Sequence, residues 1–175
     1  MVCTTNNLSF TNIELIKKDA VQNFRKHISE NVYPGRGIVI GRNHENSWIV
    51  IYWIMGRSPN SRNRIFTHKN VILRTEAADW SIIEDPSLII YNAMRDQGDC
   101  IVVSNGQHSD KICKELEDGK SFYTALHSEK HETDPPNYTP RISGIIQREV
   151  GAVSLSIICK SDFSVEHSVY RFYCY

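Results

Sequence analysis

Between residues 11 and 29 the apolar positions Ile13, Ile16, Ala20, Phe24 and Ile28 recur at spacings of three or four, and Thr11 with Glu14 forms a T-x-x-E capping box. The spacing predicts one amphipathic helix. The texture then changes. Residues 37–42 (GIVIGR), 47–54 (SWIVIYWI) and 64–74 (RIFTHKNVILR) are rich in β-branched and aromatic side chains and are broken by Asn and Gly, which predicts three or four successive strands. Asp85-Pro86 reads as a helix opening, whereas Ile89-Ile90-Tyr91 reads equally as a strand, and both readings stand. Residues 100–104 (CIVVS) predict a buried strand ending at the turn signal Asn105-Gly106. Short helices are expected over 110–118 and 121–130, and Asp134-Pro135-Pro136-Asn137 reads as a rigid loop. Residues 142–146, 152–159 and 165–175 return to strand texture. The order of strands, helices and strands predicts an α+β fold with mainly antiparallel pairing, and argues against a doubly wound parallel sheet.

The length of 175 residues suits a single domain over 1–175, with residues 1–30 as an N-terminal extension carrying one helix. The last residues, Tyr170 to Tyr175, read as a strand cut short, so further C-terminal sequence is expected. No run approaches the roughly 20 apolar residues of a membrane span, and the N-terminus has no basic-then-apolar leader, so a cytoplasmic location is expected. With 20 Lys+Arg against 20 Asp+Glu, the chain lacks the cationic excess of a nucleic-acid or membrane-surface binder. Five cysteines, Cys3, Cys100, Cys113, Cys159 and Cys174, are scattered with no CxxC or other short pair, a pattern that fits reduced thiols and lacks metal-binding spacing.

Local charge changes this picture. From Tyr33 to Arg74, seven cations, six of them arginine, face the single acid Glu45, a net charge of +6. Arginine is favoured where a planar fork grips phosphate or carboxylate, so an anionic small-molecule site and a solvated basic face are both open readings.

Five short stretches combine glycine or proline with polar groups that a core does not need: Tyr33-Pro34-Gly35-Arg36-Gly37, Gly56 to Arg64 (GRSPNSRNR), Tyr91-Asn92-Ala93-Met94-Arg95, Ser104 to Asp110 (SNGQHSD), and Glu132-Thr133-Asp134 leading to Tyr138-Thr139-Pro140-Arg141-Ile142. Together and in this order they resemble the archaeal-type IMP cyclohydrolase family. The resemblance implies an αββα four-layer sandwich like that of N-terminal-nucleophile hydrolases. It implies closure of the purine ring of 5-formamidoimidazole-4-carboxamide ribonucleotide to IMP, with loss of water and with no metal or other cofactor. A purine ribonucleotide is then the partner, and a homo-oligomer is compatible with the pattern.

That chemistry needs a folded-over substrate, donors for the oxygen that gains charge, and a proton relay. Under the resemblance, Arg36, Tyr91, Asn105 and Glu132 are the candidate catalytic residues. Arg57, Ser58, Asn60 and Arg62 would hold the 5′-phosphate, with Asn92, Arg95, Ser104, Gly106, Asp134 and Arg141 completing the substrate site. Tyr91 and Arg95 are four apart, which on a helix shares one face, and a cation there would lower the phenol pKa. Two departures stand out: Ala93 replaces a cysteine carried by archaeal members, and about 30 residues precede the GR motif. Exposing Cys3 as an N-terminal nucleophile would require loss of Met1 and Val2. Rival readings are a metallohydrolase on His127, His131 and Glu132 at helical spacing, a purine-nucleotide-binding module without chemistry, and a cyclohydrolase acting on another formamido or purine-like compound.

Overall fold

β-Branched runs separated by Asn and Gly build most of this protein. The computed structural model describes residues 10–83, 85–161 and 167–174. The chain divides into two compact units, Met1–Gly35 and Arg36–Tyr175. In the first, helix α1 (Phe10–Phe24) runs into a wider π-helical turn, Arg25–Ser29, where the Glu30 N–H donates to the Arg25 carbonyl at 2.8 Å. The single helix expected over 11–29 therefore changes pitch in its last turn. Its Thr11–Glu14 capping box and Ile13 rest on side chains outside the described residues.

In the second unit, β1 (Arg36–Arg42) and β2 (Trp48–Ile54) pair antiparallel as a two-stranded hairpin. After the one-turn helix α2 (Pro59–Arg62) come β3 (Ile65–Lys69), β4 (Ile72–Glu76), β5 (Tyr91–Asp96) and β6 (Cys100–Ser104). Helices α3 (His108–Glu117) and α4 (Phe122–Leu126) follow, then β7 (Arg141–Gln147), β8 (Ala152–Lys160) and β9 (His167–Cys174). Strands β3 to β9 form a seven-stranded antiparallel sheet in chain order. The run 64–74 is two strands because Asn70, at φ 55°, turns the chain between Lys69 and Ile72. The segment 86–91 resolves both open readings. Asp85 caps a single 3₁₀ turn, Pro86–Leu88, through the Ser87 N–H, and β5 starts at Tyr91.

Two apolar clusters cover the two faces of the large sheet. On one face Val102, Ile145 and Ile158 pack under Ile112 and Cys113 of α3 and Phe122, Ala125 and Leu126 of α4. On the other, Tyr91, Ala93 and Val103 meet Tyr52, Ile38, Ile40, Val50 and Ile54 of the hairpin. The described layers are thus helices, sheet and hairpin, an α+β arrangement with antiparallel sheets. Gly144 on β7 makes the hairpin's approach possible: a Cβ there would lie 2.8 Å from Ile40 Cδ1, 3.0 Å from Leu155 Cδ2 and 3.2 Å from Val103 Cγ1.

Strand β5 carries a bulge. Its register against β4 runs Leu73 with Met94 and then Arg74 with Asn92, so Ala93 is an extra, unpaired residue. The extra residue reverses the alternation. Tyr91, Ala93 and Met94 face the hairpin, whereas Asn92 and Arg95 reach Asp110 on α3.

Replacing Gly144 by Val should lower stability by about 1–3 kcal/mol through overpacking against Ile40 and Leu155. A fall in the urea midpoint with an unchanged denaturant slope is the expected result.

Candidate active site

Arg36 opens β1 and points its guanidinium inward, where Nη1 donates to Glu132 Oε1 at 2.7 Å and to the Asn105 carbonyl at 3.4 Å. Both side chains of this ion pair are largely buried, at 16% and 8% exposure. A buried carboxylate in such a pair holds its guanidinium as firmly as it is held, since either charge alone would be stranded. Beside them the hydroxyls of Tyr52, on β2, and Tyr91, at the start of β5, lie 2.7 Å apart. Arg36 and Arg64 both bear electrostatically on this pair, and Glu132 on Tyr91.

Burial dominates the tyrosines. It pushes both phenols above their ordinary value, outweighing the pull of the two arginines on Tyr91. Tyr91 is therefore a proton-bearing donor at neutral pH. The expectation that Arg95 lowers its pKa from the same face is corrected here. The bulge sends Arg95 to the helix side, where Nη1 lies 3.3 Å from Asp110 Oδ1 and Nη2 3.9 Å from Glu117 Oε1. Asn92 joins it, donating to Asp110 Oδ1 at 2.7 Å.

Asn105 works as a clasp. Its Nδ2 donates to the Pro140 carbonyl at 2.9 Å and its Oδ1 accepts from the Ile142 N–H at 2.9 Å, prolonging the β6–β7 ladder by one rung made of side chain. Its amide is thus committed to main chain, and only its carbonyl faces Arg36. Ser104 Oγ donates to the Gly106 carbonyl at 2.8 Å, and Ser109 Oγ donates to the same carbonyl at 3.2 Å.

His108, 2% exposed, has a fixed tautomer: Nε2 lies 3.2 Å from the Ile142 carbonyl and must donate, leaving the Nδ1 lone pair to Arg141 Nη1 at 3.1 Å. Burial and the Arg141 charge lower its pKa from 6.5 to about 4. Arg141 is thereby turned to His108, with Glu129 Oε2 3.9 Å away.

The 56–64 loop sits on a glycine that no other residue replaces, because a Cβ on Gly56 would lie 2.3 Å from the Ser61 carbonyl carbon. Ser58 caps α2 by accepting from the Ser61 N–H at 3.1 Å, with Ser61 Oγ accepting from the Ser58 N–H in return. Asn60 lies within this turn, Arg62 Nε donates to the Gly56 carbonyl at 3.0 Å, and Arg57 Nη1 donates to Asn137 Oδ1 at 2.5 Å. Asp134 closes the opposite loop by accepting from the Thr139 N–H at 2.6 Å and the Thr139 hydroxyl at 2.5 Å.

The structure therefore brings Arg36, Tyr91, Glu132 and the Asn105 carbonyl together. It sets Arg57 with Asn137, and directs Asn92, Arg95, Ser104, Asp134 and Arg141 to internal partners. Three participants escaped the sequence reading. Tyr52 is hidden in an apolar strand pattern, Asn137 in a Pro-rich loop, and Arg64 in the arginine count. Helix α4 ends at Leu126, so His127 and His131 share no helix face, against the spacing expectation. His131 instead sets Nδ1 2.9 Å from the Glu132 carbonyl and meets Tyr138 edge-on. Burial raises the Cys113 thiol to about 12 and also raises Cys100, which keeps both thiols protonated.

A family model described as IMP cyclohydrolase-like protein matches residues 33–171, a range that contains every group of this cluster. The chain belongs to the IMP cyclohydrolase-like family. Relatives include an IMP cyclohydrolase of Haloquadratum walsbyi, 30% identical over 142 residues that make up 79% of this chain and 67% of that protein. An IMP cyclohydrolase of Methanosphaera stadtmanae is 32% identical over 120 residues, 66% of this chain and 58% of that protein. One from Methanococcus maripaludis is 29% identical over 123 residues, 67% and 60% of the respective lengths. The chain thus spans 58–67% of the length of these three relatives. Among the described residues of this family member, no helix is long and apolar enough to cross a membrane.

The folded protein keeps His108 neutral down to about pH 4, whereas the unfolded chain takes up the proton near 6.5. This contribution to stability is fully present above pH 6.5, and about 3 kcal/mol is lost as the pH falls from 6.5 towards 4. Urea melts across that range should show the loss, and His108→Gln, which has no such proton to take up, should flatten it.

Proposed function

We propose that this chain closes the purine ring of 5-formamidoimidazole-4-carboxamide ribonucleotide, releasing water to give IMP, and catalyses the reverse hydrolysis. The observation that carries the reading is the buried meeting of Arg36, Tyr91, Glu132 and the Asn105 carbonyl, drawn from β1, β5, the 127–140 loop and the end of β6. Its family membership and the names of its relatives support the same reading.

In the forward direction the carboxamide nitrogen attacks the formyl carbon. The new N–C bond pushes the carbonyl pair onto the formyl oxygen. That oxygen gains the proton lost from the carboxamide nitrogen, and then leaves as water with a second proton from the former formamido nitrogen as the C=N bond forms. Charge thus builds on one oxygen, and protons move from two nitrogens to it. Glu132 accepts the proton from the attacking amide, held in place by Arg36. Glu132 hands that proton to the new oxygen. Tyr91, which stays protonated because it is buried, gives the second proton as water departs and is reprotonated by the former formamido nitrogen, while Tyr52 orients its hydroxyl through their shared hydrogen bond. Asn105 acts by positioning: it ties the Pro140–Ile142 segment to the end of β6 and gives its carbonyl to Arg36.

Arg57, with Ser58, Asn60 and Arg62 in the same turn, takes the 5′-phosphate at the more open side. Asn92, Arg95, Ser104, Gly106, Asp134 and Arg141 hold the walls through the contacts described above. With this reading go the cytoplasm as its compartment, independence of cofactors, a single cyclohydrolase-like domain to which residues 1–30 are an N-terminal extension, and the αββα sandwich of N-terminal-nucleophile hydrolases as the parent architecture. Helices, sheet and hairpin would be three of its four layers.

Incubating the folded full chain with the formamido ribonucleotide, without ATP, folate or added metal, should produce the purine absorbance band. Tyr91→Phe and Glu132→Gln should each lower kcat by about 10²–10⁴-fold, while Arg57→Ala should act mainly on KM. A folded wild-type protein that leaves the substrate unchanged overturns the reading.

A further inference from the structure

Arg64 stands immediately before β3, and its neighbour Asn63 fixes it there. Asn63 Nδ2 donates to the Asp79 carbonyl at 2.5 Å and its Oδ1 accepts from the Asp79 N–H at 2.7 Å, pinning the chain at the point where the arginine turns inward. Two guanidinium nitrogens of Arg64, Nε and Nη1, are buried, and among the described residues they have no hydrogen-bond partner. Leaving buried donors of a charged group unmatched is costly, which points to an acceptor brought by a ligand.

The surroundings say which acceptor. The charged groups acting on the Tyr52–Tyr91 hydroxyl pair are Arg36, Arg64 and Glu132, a net charge of +1. Glu132 is already joined to Arg36 at 2.7 Å, which leaves the Arg64 charge uncompensated. A phosphate monoester dianion would overfill that single charge and would face the Glu132 carboxylate. One oxygen carrying one negative charge matches it, and two phenols with raised pKa stand beside it as further donors.

We propose that Arg64 is a catalytic residue that donates from Nε or Nη1 to the formyl oxygen as it becomes negatively charged during ring closure. The assignment rests on the ring-closing reading above. The same oxygen enters as water in the reverse reaction and is absent from IMP. Arg64 therefore acts on the reacting oxygen and contributes little to holding the product.

The test pairs turnover with product binding on the full chain. Arg64→Gln should lower kcat by about 100-fold or more, with IMP affinity by calorimetry within about threefold of wild type. In Arg64→Ala, added guanidinium ion should restore part of the lost rate, a response that a purely structural arginine would not give. Arg64→Lys keeps the charge and alters the fork. It should fold by circular dichroism and still lose about tenfold in kcat, which keeps the test decisive if the Gln variant does not fold. Unchanged kcat in a folded variant overturns the assignment, as does a loss confined to IMP affinity, which would make Arg64 a phosphate ligand. A wild-type protein that binds IMP without any turnover instead removes the ring-closing reading, and Arg64 with it.

Discussion

A guanidinium and a carboxylate taken out of water must stay together, and the Arg36–Glu132 pair imposes that condition across 96 residues of sequence. It fixes the first residue of the hairpin to the 127–140 loop, with the end of β6 joined through the Asn105 carbonyl. With that anchor in place, the hairpin lies across the large sheet at Gly144, and Tyr52 arrives opposite Tyr91. The polar cluster and the apolar layer around it are one construction, because the side chains that seal the cluster from water are those that stack hairpin on sheet.

The short polar motifs of this chain are coupled in pairs. The GR stretch reaches the Glu132 stretch through Arg36. The loop holding Arg57 reaches Asn137. Asn92 and Arg95 reach Asp110, and both Asn105 and His108 grip the Pro140–Ile142 segment. Each motif supplies what another lacks. At Arg36–Glu132, Asn105 and His108 the groups are buried, so a change in one would strand a buried polar group in its partner, whereas the Arg57–Asn137 contact is exposed. Two asparagines do similar work: Asn63 and Asn105 each use one amide to imitate a main-chain pairing where the strands themselves have ended.

Much of the fold was legible because β-branched residues crowd the strands and Asn, Gly and Asp-Pro break them. The limits were local and have named causes. Asn70 accepts a positive φ and divides one run into two strands. Helix α4 stops after Leu126 although polar residues continue at helical spacing. The bulge at Ala93 was invisible, since an extra residue leaves no mark on composition, and with it went the relation between Tyr91 and Arg95. In the site, Arg36, Tyr91 and Glu132 were legible as unusual polar residues beside glycine or in loops. Tyr52 was not, because a tyrosine in an apolar strand reads as core until its hydroxyl is seen to meet another. Arg64 was counted among the charges of a basic segment, and only its burial separates it from Arg42, which stacks on Trp48 at the hairpin end, and from Arg74, which pairs with Glu76.

The contact between the two tyrosine hydroxyls has no built-in direction, since either oxygen can serve as donor. Reversing it rotates two O–H bonds and moves no heavy atom. The hydroxyl proton outside the shared contact therefore lies on the hairpin side or the sheet side of the pair according to which oxygen donates. Under the proposed function, condensation and hydration would meet the same pair of hydroxyls, one direction handing a proton to oxygen and the other taking it back. The balance between them is left to the concentrations of the small molecules outside.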